Sequence, residues 1–207
     1  MEAITVKRDA KTEFTEKKSV FISRAFFVTT EEEAEARLAQ VRAEHPDATH
    51  NCWAYSLRQY GRQRCSDDGE PSGTAGMPIM NVIKAQGVVD VLVVVTRYFG
   101  GVLLGAGGLV RAYTKGAAQV LEAAERAPII RSVTFTAEFG YDKHKTVNKI
   151  LERYPVSNVE TDFSEKVILR GEMPKDEYEA FSSELKNIYY AGLDITLTGE
   201  KLSRKTH

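Results

Sequence analysis

Residues 69–116 read GEPSGTAGMPIMNVIKAQGVVDVLVVVTRYFGGVLLGAGGLVRAYTKG, and they hold ten of the chain's fifteen glycines. A packed core does not need so many residues without a side chain. Each costs backbone entropy, so a cluster marks positive φ angles or a close approach of backbone to something else. Inside the stretch, VVDVLVVVTRYF carries a near-continuous apolar run, as expected of a strand covered on both faces. The segment MPIMNVIKAQ before it reads as a short helix with Pro78 in its first turn. After it, GGVLLGAGG leads into a long helix, LVRAYTKGAAQVLEAAER, with Leu109, Tyr113, Ala117, Val120, Leu121 and Ala124 as its apolar stripe. Two glycine-rich loops therefore run towards helix N-termini, where unpaired N–H groups can hold an anion.

Working outward, 19–28 is rich in Val, Ile and Phe and reads as a strand. Thr29 or Thr30 then caps a helix with acids in its first turn and Ala34, Leu38 and Val41 on its inner face. In THNCWAYSL, Cys52, Ala54 and Ser56 face opposite to Asn51, Trp53, Tyr55 and Leu57, which predicts another strand. RQYGRQR is a polar turn or hairpin, and DDGEPSGTAG is a loop. Pro128 marks a boundary after the long helix. Beyond it SVTFTAEFGY alternates as a half-exposed antiparallel strand does. DKHKTVNKILERY reads as a helix with Val147, Ile150, Leu151 and Tyr154 inward, followed by two strands joined by a tight turn. A second helix has Tyr178, Phe181, Leu185 and Ile188 inward, and AGLDITLTG is the last strand. Tyr189 and Tyr190 read as core or sheet face, and KLSRKTH as a frayed tail. The order β-α-β-β-α-β predicts a split βαβ, ferredoxin-like domain. The fold class is α+β, with two domains, 1–130 and 131–207.

The chain has 207 residues, 43% of them hydrophobic, and a formal net charge of −1. That composition is ordinary for a globular protein, and it excludes a globally basic nucleic-acid binder but not a local patch. The run 91–95 is far too short to span a membrane. No apolar leader opens the chain, which predicts a cytoplasmic protein with no membrane association. Two cysteines, Cys52 and Cys65, read as reduced thiols. His50 shares a strand face with Cys52, but zinc needs four ligands in recognisable pairs, and no C-x-x-C exists.

Three carboxylates, Asp67, Asp68 and Glu70, fall within four residues. They read as cation ligands or an acid–base pair, or as an ordinary turn. Next to them Gly73, Thr74 and Gly76 offer backbone N–H groups and a hydroxyl to a phosphate or carboxylate, although no Gly-Lys-Ser or Gly-Lys-Thr of a P-loop follows. The second constellation comprises Arg97, Tyr98, Phe99, Gly100, Gly101, Gly105, Gly107, Gly108 and Arg111. It lies where α/β folds usually bind ligands, after a buried strand and before a helix. It also reads as a tight crossover that needs small residues. From Pro71 to Leu121 the only acid is Asp90, whereas Arg97, Arg111, Lys84 and Lys115 are basic and Arg58 precedes them. Arginine and aromatic side chains beside open glycine backbone suit phosphate contacts and base stacking.

The segments SDDGEPSGTAGMPI and VVVTRYFGGVLLGAGGLVRAY, with the earlier KKSVFISRAFFV and THNCWAY, resemble the hallmark segments of the Impact family, and of its bacterial YigZ-type members in particular. The resemblance implies an N-terminal two-layer α/β domain like one in a ribosomal small-subunit protein and domain four of elongation factor G. It implies a ferredoxin-like C-terminal domain like domain five of that factor. Eukaryotic relatives restrain a kinase that responds to amino-acid starvation, through an additional N-terminal module. For bacterial members the resemblance implies a link to translation or RNA. The expectation is thus a non-enzymatic protein that binds RNA or the ribosome, without a cofactor. Arg97, Arg111 and Arg58 supply charge, Tyr98 or Phe99 stacks on bases, and the C-terminal domain meets a protein partner. The rival readings are an enzyme for a small anionic substrate that uses Asp67, Asp68 or Glu70 with a metal, and a protein-interaction module.

Overall fold

A computed structural model describes residues 3–188 and 192–205 of the chain, the side chain of Ile188 excepted. The chain forms two compact units, the first ending at Pro128 and the second running from Ile129 to Lys205. Tyr189, Tyr190 and the side chain of Ile188 lie outside the described residues.

The first unit contains β1 (Ile4–Val6), β2 (Ala10–Glu16), β3 (Ser19–Phe27), α1 (Glu31–Glu44), β4 (His50–Ser56), β5 (Gln63–Ser66), α2 (Gly76–Gln86), β6 (Val91–Tyr98) and α3 (Ala106–Ala124). Its five-stranded antiparallel sheet has the order β2-β3-β6-β4-β5. On one face Val91, Val93, Val95, Cys52 and Ala54 pack with Ile79 and Ile83 of α2 and with the α3 stripe. On the other face Leu92, Val94, Tyr55 and Leu57 pack with Ala34, Leu38 and Val41 of α1. The continuous apolar run of β6 exists because both faces are covered. α1 therefore adds a layer beyond the two that the resemblance implies. Thr30 caps α1, its hydroxyl accepting from the Glu33 N–H.

α3 ends at Ala124, and Glu125 (φ 56°) turns the chain straight into β7 (Arg126–Phe139). Pro128 sits inside a strand and does not break the helix: Arg126–Pro128 pair with β1, where Pro128 lies opposite Ile4. The rest of β7 opens the second unit, followed by α4 (His144–Leu151), β8 (Ser157–Phe163), β9 (Val167–Pro174), α5 (Lys175–Ile188) and β10 (Leu193–Arg204). The sheet order is β10-β7-β9-β8, antiparallel throughout. Val133, Phe135, Ala137 and Phe139 pack with Val147 and Ile150 of α4 and with Phe181 and Leu185 of α5. This is the split βαβ arrangement expected of the second half. Residues 201–204, expected as a frayed tail, instead continue β10, with Lys201 opposite Ser132 and Arg204 opposite Ile129.

Candidate functional site

The C-terminal end of β6 and the N-terminal ends of β4, α2 and α3 share one end of the first unit. The β4–β6 register places His50 beside Arg97, and the chain descends from Gly76 through α2 and returns up β6. The two glycine-rich loops meet at this end, and a buried polar group links them. Glu70, buried in the first loop, accepts at Oε1 from Arg97 Nη1 at 2.7 Å and from the Tyr113 hydroxyl at 2.7 Å. Arg97 is only 5% exposed. Its Nη2 donates to Ser19 Oγ, which also accepts from the Gly100 N–H, and its guanidinium lies against the Phe21 and Phe99 rings, 5.6 and 5.5 Å from their centroids. A charge so deep in a protein persists only when paired. The sequence reading offered Arg97 to a ligand. In the fold its charge is used by Glu70, and its role is to tie the loops together and support Phe99.

The carboxylates of the first loop diverge. Asp67 turns back onto the α2 N-terminus, Oδ1 accepting from the N–H groups of Ala75 (3.0 Å) and Gly76 (2.8 Å) and Oδ2 from that of Gly73 (2.8 Å). Burial pushes the Asp67 carboxyl up, but the N–H donors of Gly73, Gly76 and Ala75 outweigh it and leave it below the ordinary value. Asp68 accepts from Asn51 N–H and from Arg42, and the Asp68 carbonyl accepts from His50 Nδ1. The buried Thr74 donates its hydroxyl to the Pro71 carbonyl. The expected anion cradle of Gly73, Thr74 and Gly76 is thus filled by the chain's own carboxylate. Among the described residues no group of three or more His, Cys, Asp or Glu comes together to hold a metal ion. Asp67, Asp68 and Glu70, read from the sequence as cation ligands, an acid–base pair or a turn, each face a different set of partners. Cys52 is likewise no nucleophile: it is buried, it donates to the Asp67 carbonyl at 2.9 Å, and burial pushes its thiol up to about 12. Burial also pushes the Tyr113 phenol up, and Cys52 beside it acts in the same direction.

The second loop is different. Gly105 stands at the N-cap of α3 with φ 73°, a backbone conformation open to glycine, and among the described residues no side chain accepts from this helix N-terminus. Gly101, Gly105, Ala106 and Gly107 are exposed, so the first N–H groups of α3 face outward without an intrahelical acceptor. The Arg111 guanidinium lies over Gly107, its Nη1 3.5 Å from where a Cβ would stand. Arg111 is exposed and has no ion-pair partner among the described residues. Gly100 presses on the β2–β3 turn so closely that a Cβ there would stand 2.0 Å from the backbone of Lys18. That contact brings Lys17 and Lys18, both exposed, to the same end, a pair the sequence reading missed as site residues although it stood in KKSVFISRAFFV. Gly108 is half-buried beside Leu104. Phe99 is 46% exposed and Leu103 82%.

Two expected members are not brought here. Arg58 lies beyond the far end of β4, where its N–H and guanidinium meet the buried carboxylate of Asp90. Tyr98 alternates to the other face of β6, and its hydroxyl meets His45 Nδ1 at 2.9 Å at the end of α1. The candidate site is therefore Phe99, the Gly100–Gly108 loop, Arg111, Lys17 and Lys18.

The Impact N-terminal domain family matches residues 17–121. The IMPACT family member YvyE of Bacillus subtilis is 37% identical over 195 residues, covering 92% of this chain and 88% of its own. YigZ of Escherichia coli, also an IMPACT family member, is 35% identical over 182 residues, covering 86% and 89%. A crystal structure of a hypothetical protein superposes with a TM-score of 0.59 at 32% identity, covering 96% of this chain and 98% of that one. No helix among the described residues is long and apolar enough to cross a membrane. Both hallmark segments, each within the matched region and each built into the end of the sheet that carries the candidate site, place this chain in the Impact family.

Proposed function

We propose that this chain binds RNA through the open end of the first unit and acts in translation, without catalysis of its own. The observation that carries this reading is the contrast between the two helix N-termini. That of α2 is occupied by Asp67, whereas that of α3 has no side-chain acceptor among the described residues, is exposed and is flanked by Arg111. A phosphate at α3 would meet the N–H groups of Ala106, Gly107 and Gly108 together with a guanidinium. Lys17 and Lys18 extend the positive surface, and Phe99, supported by Arg97, presents a ring for a base. Gly101 and Gly105 keep the approach to the backbone open.

The test is co-sedimentation with ribosomes and anisotropy with labelled RNA at low and moderate salt. Arg111→Glu/Lys18→Glu is expected to weaken binding and flatten its salt dependence, because phosphate contacts release counterions. Unchanged affinity in the folded double variant would sink the reading. Charge reversal at Arg97 is no test of binding: it would bury two carboxylates together and report on folding.

One observation favours a protein partner as a second reading. Val102 and Leu103 are exposed aliphatic side chains at the tip of the loop, which base stacking does not use. Leu103→Asp separates the two: loss of ribosome association with RNA affinity retained would assign the tip to a protein.

A further inference from the structure

The second unit carries an exposed aromatic surface that the reading above does not use. Tyr141 is 54% exposed and Phe163 59%. Their rings stack with centroids 6.2 Å apart and planes 26° from parallel. Both are held in place. The Tyr141 hydroxyl donates to the Ser164 carbonyl, and the His144 ring meets Phe163 edge-on at 5.4 Å while stacking on the buried Phe139 at 6.5 Å. Large rings normally find cover in a unit with a core of this size, so two fixed rings left open to water mark a recognition surface.

The flanking charge indicates the partner. Lys145 and Lys149 lie one turn apart on the outer side of α4, whose first residue is His144, and Lys166 sits in the β8–β9 turn just after Phe163. None of the three has an ion-pair partner among the described residues. Asp142, Asp162 and Glu165 are the acids nearest in the chain, and Asp162 is turned to the opposite face of the sheet, where Arg170 pairs with it. The open face of the sheet is the reverse. By register Glu138, Asp194, Asp162 and Glu160 share that face, and Arg170 there is held by Asp162. A polyanion is repelled from the sheet face and attracted to the aromatic end.

We infer that the second unit binds unpaired RNA at Tyr141 and Phe163, one base stacked on the ring pair and the adjoining phosphates met by Lys145, Lys149 and Lys166. The ligand must be single-stranded, because bases paired in a duplex keep their faces covered and only a splayed base reaches a ring. The site shares a ligand class with the reading above and none of its residues.

The experiment is anisotropy with the full chain, a fluorescein-labelled oligouridylate and a duplex RNA of the same length. Tyr141→Leu/Phe163→Leu keeps apolar cover and removes the rings. It is expected to weaken single-strand binding about tenfold, as loss of base stacking does, with the salt slope unchanged because no charge is lost. Lys145→Gln/Lys166→Gln is expected to flatten that slope, and duplex RNA to bind more weakly than the single strand. A folded ring variant that binds as the wild type does, or equal affinity for duplex and single strand, overturns the inference. Should the ring variant fail to fold, an unchanged slope in the lysine variant overturns it instead. Arg111→Gln separates the sites: binding lost there but kept in the ring variant supports the first unit alone, and the opposite pattern supports the second alone.

Discussion

Glu70 shows how one residue decides what the site can be. In sequence it stands among turn-forming residues and looks like a free acid. In the fold it is buried, and Arg97 and Tyr113, from β6 and α3, converge on a single oxygen. His50 Nε2 stands 3.8 Å from its other oxygen. Glu70→Gln would leave the Arg97 guanidinium buried without a counter-charge, a change that costs about 3–5 kcal/mol. Urea unfolding at neutral pH is expected to show that loss, and Glu70→Gln/Arg97→Met to recover much of it. A single variant as stable as the wild type would show that the pair does not hold the loops. This pairing was not legible in the sequence. The partners are 27 and 43 positions from Glu70, and nothing local distinguishes a buried arginine at a strand end from an exposed one. The apolar side chains were legible: Leu109, Tyr113, Ala117 and Val120 recur at helical spacing, and all are buried.

At the scale of elements, the instructive pair is α2 and α3, whose N-termini lie at one end of the sheet and are finished differently. Asp67→Ala would remove a carboxylate that accepts three backbone N–H groups, and it is expected to lower stability at neutral pH by about 2–4 kcal/mol. The pH dependence follows from the direction of the shift. The folded state holds the Asp67 carboxyl below its ordinary value of 3.8, so its contribution is complete above that value and is lost as pH falls through the folded value. Urea midpoints of wild type and variant should therefore differ most near neutrality and converge in acid. A gap that stays constant down to the lowest pH would show that Asp67 is not the cap. Sequence reading found both helices, because glycine and proline mark their starts. It could not tell which N-terminus was free, because the occupant of α2 lies outside the helix, nine positions before Gly76. It also missed β1 and β2: AKTEFTE is an edge strand whose inward positions are Ala10, Thr12 and Phe14, so only two apolar residues, interrupted by a threonine, mark its alternation.

For the whole molecule, the net charge of −1 hides a segregation that a sum over residues cannot show. Lys17, Lys18 and Arg111 stand at the open end of the first unit and Lys145, Lys149 and Lys166 near the aromatic end of the second, while Glu138, Asp194, Asp162 and Glu160 share the second unit's open sheet face. The first unit also closes on itself. Ile4–Val6 pair with Arg126–Pro128, the N–H groups of Lys7 and Arg8 donate to the carbonyls of Glu125 and Ala124, and Val6 lies in the core beside α2 and α3. The strand that leaves for the second unit thus first pairs with β1, outside the five-stranded sheet of the first. Residues 1–128 hold their own core and are expected to unfold in urea as one cooperative transition. A fragment ending at Glu125 lacks the residues that pair with β1 and should unfold at lower urea, since Val6 loses the pairing that keeps it buried. Circular dichroism on both fragments checks this. A 1–128 fragment without a cooperative transition would show that the first unit depends on the second, and equal midpoints would show that the pairing of β1 with Arg126–Pro128 contributes nothing. If 1–128 folds, it also isolates the Arg111 site from Tyr141 and Phe163, so RNA affinity that survives in the fragment belongs to the α3 end alone.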